Sequence, residues 1–432
     1  MPSILKSLLT CICTLVAAPH LLAAPLPQEA PATHLGVASC ASGVCHGVVA
    51  PKTDSNILQN EYRTWTQHDM HARAYKVLMN DESKKIAQKL GLPNAHEAKI
   101  CLDCHADNVG DGKRGRRFQI SDGIGCEACH GGAEQWIKSH TEPGVTHEAN
   151  LKAGMYPTED PHARAQLCLS CHLGTKDKLA THEIMGAGHP RLSFELDTFT
   201  VLQPEHYVKD DDYRKRKPDI SSPQIWATGQ ISAAQRTLEL LASSRFHSGG
   251  LFPEISFYDC HSCHHPMNDV RWQNGEGLKP GALRLNDAYL QMSGLLVSEL
   301  LPAKTSTWRD GTRALQQAGS QSPDAVKKHA QALLQQVPDI LARFRQVQTP
   351  AEQKALLRRL LGDAQKGAFH DYAGAEQLVM GCSVLFSSLK LDDTLRTTLD
   401  NLYQVLDDEH RFQPERLRAA AGKALADVER HL

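Results

Sequence analysis

Four cysteine pairs in this chain share one spacing and are each followed at once by histidine: Cys101-Leu-Asp-Cys104-His105, Cys126-Glu-Ala-Cys129-His130, Cys168-Leu-Ser-Cys171-His172 and Cys260-His-Ser-Cys263-His264. Two thiols two residues apart can bond to the two vinyl groups of one porphyrin, and the adjoining histidine then reaches the iron. The pattern therefore reads as covalent attachment of c-type haem with a proximal histidine. Composition alone gives about 0.02 such motifs in a chain of this make-up. A fifth variant, Cys40-Ala-Ser-Gly-Val-Cys45-His46, has four residues between its cysteines. A longer loop still reaches both vinyls if it bulges outward; the alternative is a local disulfide or two free thiols. The cofactor expected is haem c, five copies, with His46, His105, His130, His172 and His264 as proximal ligands.

A haem that only carries electrons needs a sixth ligand as well, and the chain's 23 histidines can supply one for each. His71 lies in Trp-Thr-Gln-His-Asp-Met-His-Ala-Arg-Ala, where His68 shares its helix face. His140 follows His130 by ten residues. His182 and His189 bracket a glycine-containing stretch that could approach a porphyrin plane closely. His265 directly follows a proximal histidine, so it must point away from its own haem and could serve another. These five are the candidate distal ligands. His147 stands between ligand and hydrogen-bonding roles, and His68, His162, His206 and His96 read better as hydrogen-bonding or surface residues.

The first 24 residues read as a secretory leader, with Lys6 as its positive charge, an apolar stretch from Leu8 to Ala18, and small residues at Ala23 and Ala24. That stretch is short of the ~20 apolar residues a membrane span needs. A periplasmic protein is expected. Of the 13 cysteines, two leave with the leader and ten belong to the motifs, so only Cys382 remains; it lies at helical spacing with Leu378, Val379, Leu385 and Phe386 and reads as a core thiol. The formal charge is -2, and -3 once Lys6 is removed. Ten haem propionates would take the loaded protein to about -13 if all ionise. Nothing in this balance suggests nucleic acid. Asp210-Asp211-Asp212 followed by Arg214-Lys215-Arg216-Lys217 reads as a solvated loop.

The elements that must position these residues are short. Residues 25–275 carry every motif and read as short helices and loops with little β structure, as expected where porphyrins supply the apolar volume. Two longer helices are predicted, over 56–79 and 230–246. Residues 275–281 form a Gly/Pro-rich linker. Residues 282–432 then read as a helical bundle with no cofactor signal. Thr349-Pro350-Ala351-Glu352 predicts a capping box, Gly362 a helix end, and Pro338 a break in the helix that begins near Pro323. Further helices are predicted over 372–389, 393–406 and 414–432. The fold class is mainly α: a haem-packed multihaem domain followed by a helical bundle.

Trp65 to Ala74, Gly125-Cys-Glu-Ala-Cys-His-Gly131 and Ala187-Gly-His-Pro-Arg-Leu-Ser-Phe-Glu195 resemble segments of the cytochrome c554-like family of multihaem cytochromes c. The resemblance covers roughly residues 35–270. It implies haems in closely stacked, mostly bis-histidine pairs that pass electrons between periplasmic or surface partners, with His71 and His140 as distal ligands. His265 resembles the second histidine of Cys-x-x-Cys-His-His in small tetrahaem cytochromes, where it ligates a different haem. The chain departs from the four-haem pattern by its fifth, widened motif and its long C-terminal segment.

The function expected is an electron carrier with redox-protein partners, including a membrane electron-transfer complex, in anaerobic nitrogen- or sulfur-compound respiration. Histidine pairs favour low potentials. The alternative is an oxidoreductase that binds a small nitrogen or sulfur compound at one five-coordinate haem; no Cys-x-x-Cys-Lys motif occurs to mark such a site. A structural zinc protein would need ligands closing in fours, which five isolated Cys/Cys/His units do not supply.

Overall fold

The computed structural model describes residues 24–55, 57–247, 254–265, 278, 281–346 and 348–432. The leader expected at 1–24 therefore lies, apart from Ala24, outside the described residues, as does most of the 275–281 linker. Among the described residues there are helices and loops but no strand; extended pairing is limited to two isolated bridges, His34 with Arg114 and Tyr258 with Leu285. The mainly α reading holds. No described helix is long and apolar enough to cross a membrane.

The N-terminal half is built on short helices: Glu61–His68, Ala74–Val77, Asp81–Lys89, Lys99–His105, Cys126–His130, His147–Lys152, Pro161–His172, His182–Ala187, Leu196–Leu202 and Asp211–Arg216. The single helix predicted over 56–79 is broken. Asp69 takes an extended conformation, and its carboxylate caps a new 3-10 turn, Met70–Arg73, by accepting from the His71 backbone N–H at 2.9 Å. Aspartate competes for backbone donors in this way, which is why it interrupts helices. The apolar side chains here form only small clusters, such as Leu78, Ala87, Ala95, Leu102 and Ala106.

The second long helix starts earlier than predicted and runs over Ser222–Leu241. Ser221 and Gln224 form a reciprocal capping box in front of Pro223, and these signals fix the start. Buried side chains lie all around it, and it serves two neighbours. One side, with Ile225 and Ala233, packs on Leu169, Phe194 and Leu196; the other, with Trp226, Ile231, Leu238 and Leu241, joins the C-terminal helices. One continuous core thus runs from Trp226 to Val428. Composition draws its boundary at the Gly/Pro-rich run 275–281; burial draws one near residue 222.

The C-terminal bundle comprises Ala288–Leu300, Thr305–Ala318, Pro323–Leu334, Val337–Phe344, Pro350–Gln365, Tyr372–Ser388, Arg396–Gln404 and Pro414–Glu429. The helix that begins at Pro323 does split before Pro338. The capping box forms as read, with Thr349 N–H donating to Glu352 at 2.7 Å and Glu352 N–H to Thr349 at 3.2 Å. Gly362 does not end that helix, which continues to Gln365; it is Gly367, at φ 84, that leaves the helical region. Cys382 is fully buried, and burial pushes its thiol up to about 12.

Candidate haem sites

Four of the five motif histidines sit at or just past the end of a helical turn. The Lys99–His105, Cys126–His130 and Pro161–His172 helices all end on one, and Cys260–Ser262 forms a 3-10 turn before His264. Cysteines three apart on a helix share a face, so both thiols point to the same side. The widened motif reaches a similar end by a loop. His46 N–H donates to Cys40 C=O at 3.1 Å, returning the chain to the first cysteine, and Val44 at the loop tip is 85% exposed.

Five imidazole pairs share nearly the same separation. His46 faces His140, His71 faces His172 and His105 faces His189, each at 6.3 Å between ring centroids, while His130 faces His206 and His182 faces His264 at 6.2 Å. Every motif histidine is in one pair. A metal–imidazole bond is about 2 Å and the ring centre lies about 1 Å further on, so two imidazoles on opposite sides of one metal stand about 6 Å apart, against about 5 Å at a tetrahedral angle. The separation fits the axial positions of an iron porphyrin. Among the described residues no group of three or more His, Cys, Asp or Glu side chains converges as a metal cluster.

Of the sequence-predicted distal residues, His71, His140, His182 and His189 each lie opposite a motif histidine. The fifth place, opposite His130, is held by His206, not His265. His206 follows Pro204, whose carbonyl its Nδ1 approaches at 3.4 Å. His265 instead lies on the wall of a cavity between the Cys260–His264 motif and the C-terminal bundle, with His261 and Trp308.

Nδ1 of six of these ten rings, His206 included, meets a hydrogen-bond partner, so Nε2 is the nitrogen left for a metal. His46 Nδ1 meets Glu61 at 2.9 Å and His71 Nδ1 meets Asp69 at 2.8 Å; His105, His189 and His140 bond the carbonyls of Ala74 at 3.0 Å, Pro190 at 2.8 Å and Trp136 at 3.3 Å. Metal-ligating histidines are oriented in this manner. The hydrogen bond that His46 makes to Glu61 raises its affinity for a proton, that of His71 to Asp69 does the same, and burial pushes His130 down to about 3. Other histidines are satisfied differently. His34 is buried between Asp107 at 2.7 Å and the Pro27 carbonyl at 3.2 Å, and His147 spends Nε2 on Glu159 at 2.7 Å.

The thiols also meet across motifs. Cys40 lies close to Cys126 and Cys104 close to Cys171, so in chain order the first site abuts the third and the second abuts the fourth. Lys178 reaches this second contact, with Nζ at 3.1 Å from Cys171 Sγ and 2.9 Å from the Asp103 carbonyl. Inside the third motif, buried Glu127 accepts backbone N–H bonds from Leu35, Gly36 and Ala133, each at 2.7 Å, and ties it to the strand of chain leading into the first. Glu127, Asp69 and Glu61 escaped the sequence reading because an isolated acid carries no spacing signal; only their nearness to motif histidines in the sequence could have hinted at them.

The family model for cytochrome c554 and c-prime matches residues 38–131. Cytochrome c-554 of Nitrosomonas europaea is 30% identical over 116 residues, covering 24% of this chain and 48% of that protein. The chain spans about half the length of that relative. No solved structure matches it. Over residues 38–131, which hold the Cys40, Cys101 and Cys126 motifs, the chain is similar to the cytochrome c554 family.

Proposed function

We propose that this chain is an exported electron carrier that holds five haems c, each between two histidines: His46 and His140, His105 and His189, His130 and His206, His172 and His71, and His264 and His182. The observation that carries this reading is the common separation of the five ring pairs. Cys40 with Cys45, Cys101 with Cys104, Cys126 with Cys129, Cys168 with Cys171 and Cys260 with Cys263 would hold the porphyrins covalently. Bound haem c supplies a one-electron Fe(III)/Fe(II) couple. The chain's part is to fix two imidazoles on each metal, so that geometry changes little between oxidation states, and to place the sites against one another through the Cys40–Cys126 and Cys104–Cys171 contacts.

The leader supports a periplasmic location, and the partners proposed are redox proteins, including a membrane electron-transfer complex, in anaerobic respiration. Pairing at every motif histidine favours a carrier over an oxidoreductase with an open coordination position. Spectroscopy of the mature, full-length protein tests the reading. Wholly low-spin ferric iron, no carbon monoxide adduct after reduction, and five porphyrin additions by intact mass are expected. A high-spin fraction amounting to one haem in the native protein overturns the carrier reading in favour of a substrate-binding haem, and fewer than five additions overturns the stoichiometry.

A further inference from the structure

Residues 182–195 form a strap that touches three haem sites. His182 opens it opposite His264, and His189 follows opposite His105. Phe194 lies against the His172 ring, with centroids 5.3 Å apart. The helix His182–Ala187 is short, and isolated helices of this length are marginal, so its shape depends on what anchors it. His182 is exposed and His189 half-buried.

The C-terminal bundle grips this strap at one end. Arg191 Nη2 donates to Glu376 at 2.6 Å, and its Nε donates to Glu409 at 3.0 Å. The guanidinium also stands over the Tyr372 ring, 5.4 Å from its centroid. Next to it, Ser193 Oγ donates to Glu376 at 3.0 Å, and the Phe194 carbonyl accepts from Tyr289 OH at 2.9 Å and Gln377 Nε2 at 3.1 Å. Arg191, Glu376 and Glu409 are each largely shielded, with side chains 19%, 19% and 30% exposed. A fork that donates to two carboxylates and stacks on a ring fixes orientation in a way a single charge cannot.

We propose that Arg191 is a positioning residue, and that a role of the haem-free C-terminal bundle is to hold the distal-ligand strap in place through it. Glu376 and Glu409 anchor Arg191, two residues from His189, and thereby keep His189 on the second haem and, through the short helix, His182 on the fifth. This rests on the bis-histidine reading above.

The test uses full-length, haem-loaded protein. Arg191→Met and the charge reversal Arg191→Glu are expected to retain five porphyrin additions by intact mass yet convert one to two haems of five to high-spin, carbon monoxide-binding form. Arg191→Lys should restore most of the low-spin signal. Arg345→Met serves as control, because Arg345 pairs with Asp160 across the same two halves of the chain without touching the strap; it should stay low-spin. Should Arg191→Glu fail to accumulate, the paired Glu376→Gln, Glu409→Gln variant carries the same expectation. The proposal is overturned if these variants remain wholly low-spin, or if Arg345→Met loses as much low-spin iron as they do. A native protein that already shows one high-spin haem refutes the underlying ligation instead.

Discussion

Asp197 shows how a single buried acid shapes the molecule. It is 5% exposed, and burial together with the neighbouring Glu195 carboxylate pushes it up to about 7, against Ser222, Arg164 and Lys209, which favour its charged form. The folded state therefore keeps a proton that the unfolded chain, with an ordinary value of 3.8, has released. Its contribution to stability is fully present below the unfolded value and is lost as pH rises through the folded one. One pKa unit corresponds to about 1.4 kcal/mol, so the loss amounts to a few kcal/mol at most. Denaturant melts at several pH values should show native protein weakening between about pH 4 and 7 more steeply than Asp197→Asn; equal slopes would refute the assignment. Asp197 was invisible in the sequence, as was the place of His206 opposite His130. The thiol pairs and their histidines were legible because their chemistry demands fixed spacing. Which histidine comes to lie opposite a motif histidine is set by folding alone, and His206 reaches its place where Gln203 bonds Asp69 at 3.2 Å, a contact between residues 134 apart.

Helices were legible where the signal was local. Thr349, Pro350 and Glu352 announce a start by satisfying backbone donors within one turn, and Pro338 stops a helix by lacking a donor. Gly362 misled, because a glycine ends a helix only when the chain needs a left-handed residue there, and that need arises at Gly367. Gly381 is the instructive opposite case. It lies inside the Tyr372–Ser388 helix, where propensity alone would favour alanine by about 1 kcal/mol. A Cβ there would stand 2.7 Å from the Trp226 ring, which is fully buried and has no room to withdraw. Overpacking of this kind costs about 1–3 kcal/mol and outweighs the propensity gain. Gly381→Ala is therefore expected to lower stability by about 1 kcal/mol or more in thermal melts followed by circular dichroism. A higher melting temperature would show that the two helices can separate without loss.

At the scale of the whole molecule, apolar burial is unevenly distributed. The core from Trp226 to Val428 is one continuous cluster that includes Trp308, Phe344, Phe369, Phe386 and Phe412, whereas the haem-bearing half holds clusters of four to six residues. Those small clusters bury too little to offset the entropy of ordering some 200 residues, at roughly 1–2 kcal/mol each. In the reading proposed here the porphyrins supply the missing core, while the C-terminal half folds on its own side chains. Replacing the ten motif cysteines by alanine separates the two. Limited proteolysis of that variant should degrade residues 25 to about 220 rapidly and leave a helical fragment that begins near Ser222, because the Ser222–Leu241 helix sits within the C-terminal core. A protected fragment beginning instead near residue 282 would mean that this helix belongs energetically to the haem-bearing half, and that its contacts with Leu169 and Leu196, not those with the bundle, decide when it folds. Protection of the whole chain without haem would show that the small clusters suffice and that the porphyrins are passengers in a fold that does not need them.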